Sequence, residues 1–210
     1  MNDRGHIAFK VTYNDMNWQH VCSPKLYKIN SKRIFYCQEN PCQSYRDQEL
    51  TKDFYPCFDS VANKILSFGP GRSIEGKPHV CKRTQVDDIA FFTSLKPGTP
   101  QSERFIFTIF KIKSIEDVND YDYFDSEERS KLYVGDKYSA IFLEPSQYIN
   151  FWNYYSNNSS NKKFSNFWGA GLFRYMGNEA TESILKEIID NPIFYPEQKA
   201  NAKYLLQSIL

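Results

Sequence analysis

The chain has 210 residues, enough for one large domain with a substantial core. Aromatic residues make up 17%, charged residues 24%, and the formal net charge is +1. This balance excludes an intrinsically disordered chain and a polybasic, histone-like coat protein, while leaving room for a local basic face.

The first strand is expected at His6–Tyr13, "HIAFKVTY". Ile7, Phe9, Val11 and Tyr13 alternate onto one face, with His6, Ala8, Lys10 and Thr12 on the other. "NDMN" then breaks the run with turn residues. Residues 20–57 carry four cysteines and little periodicity, apart from a strand-like "RIFYC" at Arg33–Cys37. A short helix is expected over Phe58–Phe68, stopped by "GPGR".

The middle is strongly β. "DDIAFFTS" (Asp87–Ser94) leads through the Pro/Gly turn "LKPGTP" into "RFIFTIFKIKSI" (Arg104–Ile115). An acidic stretch, Glu116–Arg129, reads as a loop, and "KLYVGDKYSAIFLE" (Lys131–Glu144) adds one or two strands. A helix is then expected over Pro145–Tyr155, and "SNNSSNKK" is a surface loop. "NFWGAGLFRYM" is aromatic and glycine-broken. Two closing helices follow: Asn178–Asp190, with Asn178 as N-cap, and Pro196–Leu210, opened by its proline.

No run reaches the ~18–20 apolar residues of a membrane-spanning helix. The opening "MNDRGHIAFK" lacks the apolar core of a signal peptide. A cytoplasmic location without membrane association is therefore expected. Residues 1–210 are expected to form a single domain, with 20–83 as an insertion or subdomain. The apolar end Ile209-Leu210 points to a longer parent protein continuing beyond it.

The order "HIAFKVTYNDMNW", "DDIAFFTS", "RFIFTIFKIKSIED", "KLYVGDKYSAIFLE", "FRYMGNEATESILKEI" resembles the EVE and YTH domains of the PUA-like superfamily. The likeness covers about residues 6–18 and 87–190. Phe105–Ile112 stands where those domains have their "iFgifki" strand, and Phe173–Ile188 where they have the closing helix. Two departures stand out: the cysteine-bearing segment Cys22–Cys81 is extra, and Thr108 replaces the usual glycine. The resemblance implies an α+β fold: a small twisted β-barrel with flanking helices, here with an irregular Cys-containing insertion. It also implies an aromatic pocket for a modified or flipped base. The expected partner is DNA, in a prokaryotic or phage defence or restriction system, with a fused or associated nuclease or motor.

Trp18, Trp152 and Trp168, the only tryptophans, each adjoin turn or loop residues and are the candidate base-stacking planes. Stacking contributes about 1–3 kcal/mol per base, and a flipped base also needs polar groups at its edge. Asn14, Asp15 and Asn17 beside Trp18 are the candidates, with Asn153 a further one. Rings in so aromatic a chain also fill cores, so packing is the competing reading. Lys28, Lys32, Arg33, Arg72, Lys82 and Arg83 are candidate phosphate contacts. A solvated surface is the plain alternative.

Enzyme signals are thin. Glu75-Gly76-Lys77 is the E-x-K word of many metal-dependent nucleases, with Asp59 upstream. Walker A, H-E-x-x-H, G-x-S-x-G and G-x-G-x-x-G words are absent. A nuclease or other nucleic-acid-modifying enzyme, and a protein–protein interaction domain, are the alternatives to a binding module.

The odd count of five cysteines argues against a disulfide framework. The spacing Cys22-x14-Cys37-x4-Cys42-x14-Cys57 offers four thiolates for a structural zinc or an iron–sulfur cluster, though without a tight C-x2-C knuckle. Cys81, His20 and His79 are further ligand candidates, through the repeated word His-Val-Cys. The base-reading function itself needs no cofactor. Buried thiols acting as small hydrophobes are the other reading. Elemental mass spectrometry separates the two: about one zinc per chain makes these cysteines ligands, and none makes them packing residues.

Overall fold

The long run of alternating aromatic and β-branched residues after the Pro/Gly turn becomes the organising strand of the molecule. The computed structural model describes residues 5–15, 17–18, 26–29, 32–35, 66–70, 79–117, 131–157, 166–169 and 171–209, with backbone alone for 26–29 and 32–35. Its strands are β1 Ile7–Lys10, β2 Leu26–Ile29, β3 Lys32–Phe35, β4 Ser67–Phe68, β5 Ile89–Ser94, β6 Phe105–Asp117, β7 Lys131–Gly135, β8 Ile141–Phe142, β9 Ile149–Asn150 and β10 Phe173–Tyr175. Two helices close it, α1 Asn178–Asp190 and α2 Pro196–Ile209.

The main sheet is mixed and runs β10-β1-β5-β6-β7-β4, with β8 and β9 also on β6. Strand β1 pairs parallel to β5 and antiparallel to β10. Among the described residues no pairing joins β10 to β4, so this eight-stranded sheet stays open. That corrects the expected closed barrel, while the α+β class stands. Strands β2 and β3 form a separate antiparallel hairpin.

Side chains leave the sheet in two directions. Ala8, Ile89, Phe91, Ile106 and Ile109 pack with Ile184, Leu185, Ile188, Ala202 and Leu205 of the helices. Ile7, Phe9, Phe92, Phe107, Phe110 and Tyr133 form a second, aromatic core. Because β1 and β5 are covered on both sides, even His6 is fully buried. Bulges at Phe92/Thr93 and Ile112/Ser114 interrupt the β6 pairings. The first lets Ile106 and Ile109, three apart, face the same core.

The start of β1 is clipped to the segment before β5. The Thr84 hydroxyl donates to the Gly5 carbonyl at 2.8 Å. The Ile89 N–H donates to His6 Nδ1 at 3.1 Å, and Asp88 Oδ1 lies 3.3 Å from that nitrogen. The described C-terminal part of the 20–83 segment also belongs to the main body: β4 pairs with β7, and the Cys81 N–H donates to the Tyr133 hydroxyl.

Three local expectations change. Ser67–Phe68, expected at a helix end, is a strand, because it pairs with Tyr133 and Val134. Pro145–Tyr155 is not one helix. A capping box between Glu144 and Gln147 closes a single 3-10 turn, and Ile149–Asn150 then extends to pair with Phe105–Ile106. The N-cap of α1 is Gly177 in place of Asn178, without a side-chain cap bond.

A Cβ on Gly5 would sit 2.0 Å from the Arg83 carbonyl oxygen. Neither backbone can yield cheaply at this clip. Gly5→Ala is therefore expected to cost about 1–3 kcal/mol and to lower the melting temperature by several degrees. An unchanged thermal melt would contradict this close approach.

Candidate functional site

Beyond β1 the chain stays anchored to β5 before it turns. The Val11 N–H donates to the Thr93 carbonyl at 2.8 Å, and the Ser94 hydroxyl donates to the Val11 carbonyl at 3.0 Å. The following turn holds two successive non-glycine residues in the left-handed region, Asn17 and Trp18, both at φ 56°. Asparagine tolerates that conformation, but a bulky indole does not, and each such residue costs about 1–2 kcal/mol. The Trp18 indole N–H donates to the Thr12 carbonyl at 3.0 Å, and the Tyr148 hydroxyl donates to Asn17 Oδ1. Those bonds hold the turn in its strained form.

An aromatic cluster supports it. The Trp18 ring stacks on Phe107 with centroids 3.6 Å apart and planes 6° from parallel. Tyr13 and Phe105 approach its edge at 6.2 and 6.4 Å. Tyr148 stacks on Phe105 at 4.3 Å. Burial, then the neighbouring Tyr13, pushes the Tyr148 phenol well above its ordinary range, so it remains a neutral donor. Asn14 is buried and Asp15 half-buried in the same turn. Trp18 is fully buried, with one face given to Phe107.

The other two tryptophans lie elsewhere. Trp152 and Trp168 belong to the helix-side core with Phe151, whereas Trp18 belongs to the aromatic core. Their indole N–H groups donate to the carbonyls of Gln101 and Gly171, both at 2.6 Å. The Arg104 and Arg174 guanidinium groups lie 4.8 and 5.2 Å from the Trp168 ring centre. The three tryptophans therefore do not form one pocket: all three are core residues, Trp18 in the aromatic core and Trp152 and Trp168 on the helix side. Asn153 is exposed. Asn14, Asp15 and Asn17 do stay with Trp18.

Tyr13, Phe105, Phe107 and Tyr148 are the members of this cluster that the sequence reading did not name as site residues. Phe105 carried a signal in the alternation of its strand. Tyr148 carried none, because its place depends on β9 pairing with the start of β6.

The described candidate phosphate contacts fall on two segments. Lys28 faces Arg33, and Lys32 faces Ile29, across the β2–β3 hairpin. Lys82 and Arg83 are exposed in the turn before Asp88, and the Arg83 guanidinium lies 4.8 Å from the Tyr175 ring centre. Arg72 lies outside the described residues, as do His20, Asp59, Glu75 and Lys77.

Cys22, Cys37, Cys42 and Cys57 also lie outside the described residues. Among those described, no group of three or more His, Cys, Asp or Glu could hold a metal ion. Cys81 is buried, and burial pushes its thiol up to about 11, against a smaller opposing effect of the Tyr133 hydrogen bond. A thiol in that state stays protonated near neutral pH. No helix among the described residues is long and apolar enough to cross a membrane.

No family model matches the chain, and neither the curated proteins nor the solved structures compared with it contain a match.

The raised thiol gives a pH signature. Alkylation of Cys81, followed by peptide mass mapping, is expected to be slow at pH 7–8. Its rate should rise about tenfold per pH unit until the thiol ionises near pH 11. A plateau already reached by pH 9 would mean an ordinary, solvated thiol.

Proposed function

We propose that the chain is a nucleic-acid-binding module that reads a modified or flipped base of DNA at the Tyr13–Trp18 turn. Kinship with the PUA-like superfamily, a cytoplasmic setting and a role in a prokaryotic defence or restriction system, beside a nuclease or motor, belong to the same proposal. The observation that carries it is the strained Asn17–Trp18 pair, set in an aromatic cluster with amide groups at its border. Strain of this kind concentrates at binding sites, where surrounding contacts over-determine it. A flipped base needs a flat surface and polar partners for its edge, and this turn supplies both residue types. The base would take the face of Trp18 turned away from Phe107, displacing what covers it.

The test is fluorescence anisotropy with duplex and single-stranded oligonucleotides, with and without modified cytosine or adenine. Tighter binding of one modified form is expected. Trp18→Phe keeps an aromatic ring on Phe107 and should weaken that binding about tenfold through poorer stacking. Equal affinity for modified and plain strands, unchanged in the variant, would sink the assignment.

A second reading, a docking face for another protein, is favoured by exposed aromatics along the α2–β8 seam. Phe142, Tyr195 and Tyr204 are exposed there. Gln198 and Asn201 of α2 donate to the carbonyls of Phe142 and Ala140 along the same seam. A partner retained from cell extract after nuclease digestion, and lost on Phe142→Ser, would favour that reading over base recognition.

A further inference from the structure

A cleft of about 460 Å³ opens beside the end of β1, next to the base-reading turn. One wall is the β5–β6 connection. There the Thr99 N–H donates to the Lys96 carbonyl at 3.2 Å across Pro97 and Gly98, with Gly98 at φ 81°. Proline second and a left-handed glycine third make this a type II turn. The opposite wall is Leu172, whose carbonyl accepts the Lys10 N–H at 2.8 Å.

The lining is cationic. Lys10, Lys96 and Arg104 line the cleft, and among the described residues no carboxylate does. Arg104 is 2% exposed and fixed in place: it donates to the Thr93 hydroxyl at 3.4 Å and lies over the Trp168 ring. The half-buried Lys10 ammonium is held below its ordinary range by burial first, then by Arg104 and Arg174. Cations held together in partial burial create a site that an anion relieves.

We infer that this cleft is a phosphate-binding site for the sugar–phosphate backbone of a nucleic-acid strand, held by Lys10, Lys96 and Arg104. The strand identity of the ligand rests on the base-reading proposal, whereas the phosphate chemistry stands on the cleft alone. Three features favour a backbone over other anions. The volume exceeds what one phosphate fills and lies in the range of small-ligand sites. Among the described residues no aromatic ring lines the cleft, so they offer a base nothing to stack on. Gln101 also lines it and has a buried side-chain oxygen with no hydrogen-bond partner among the described residues, an acceptor suited to a sugar hydroxyl. Thr12 joins the two sites, because it lines the cleft while its carbonyl accepts the Trp18 indole N–H. A strand crossing both would place a phosphate by Lys10 and its base by Trp18.

The experiment has two arms on the full chain. In the first, Lys10 is acetylated by a brief pulse of acetic anhydride and quantified by peptide mass mapping. The pulse is applied to free protein, with glycerol phosphate, and with a single-stranded oligonucleotide. Both phosphate probes are expected to protect Lys10 and to leave the exposed Lys203 unprotected, the oligonucleotide at lower concentration. In the second, oligonucleotide affinity is measured against salt for Lys10→Gln and Lys96→Gln. Each variant should lower the slope of log affinity on log salt by about 0.7. Lys96 is exposed, so its variant carries the test if Lys10→Gln fails to fold.

The outcomes separate the two claims. Oligonucleotide binding with unchanged slopes and an unprotected Lys10 overturns the cleft and leaves the base-reading proposal standing. Protection by glycerol phosphate without any oligonucleotide binding overturns the nucleic-acid reading and leaves a site for small phosphate esters. No protection by either probe overturns the cleft as a phosphate site.

Discussion

Strand β6 is the element on which the rest depends. It pairs with β5, β7, β8 and β9, so four separate stretches of chain take their register from it. Its bulge at Phe92/Thr93 lets the strand serve two cores at once. Phe107 and Phe110 go to the aromatic side, and Ile106 and Ile109 to the helices. Without that shift, strict alternation would place Ile106 and Ile109 on opposite faces and split the helix-side core.

The turn after β1 and the cationic cleft are both consequences of this frame. Phe105 and Phe107 of β6 supply the surface on which Trp18 and Tyr148 stack. Thr93 of β5 locates Arg104, and its backbone carbonyl holds Val11 in line. The strained pair Asn17–Trp18 and the crowded charges at Lys10 each cost free energy locally. Pairing and aromatic burial elsewhere in the sheet offset them. A rigid sheet can therefore hold a tense turn and a cationic hollow side by side, a useful arrangement for a ligand with flat and anionic parts.

The strands and final helices were readable where the local pattern was strong. Period-two alternation marked β1 and β6, and an apolar stripe marked α1. Failures came where partners far along the chain decided the outcome. Pro145 and Ser146 read as a helix start, yet Ile149 and Asn150 pair with β6 instead. Ser67–Phe68 goes to β7 for the same reason. Each of the three tryptophans adjoins a turn, so all three were candidate planes, Trp18 foremost. Their separation into two cores follows from which side of the sheet each segment crosses.

By itself, the sequence determined an α+β chain with an aromatic, β-rich middle and two closing helices, and it singled out Trp18 with its neighbouring amides. Those features reside in residue type and short-range periodicity, which local sterics and solvation enforce without reference to distant chain. Tertiary structure alone decided that the sheet stays open among the described residues and that Tyr148 meets Asn17. It alone brought Lys10, Lys96 and Arg104 around one cleft. Lysine and arginine carry no periodic signal. Their convergence depends on strand register and on how a turn closes over its neighbour, quantities set only when the whole sheet has paired.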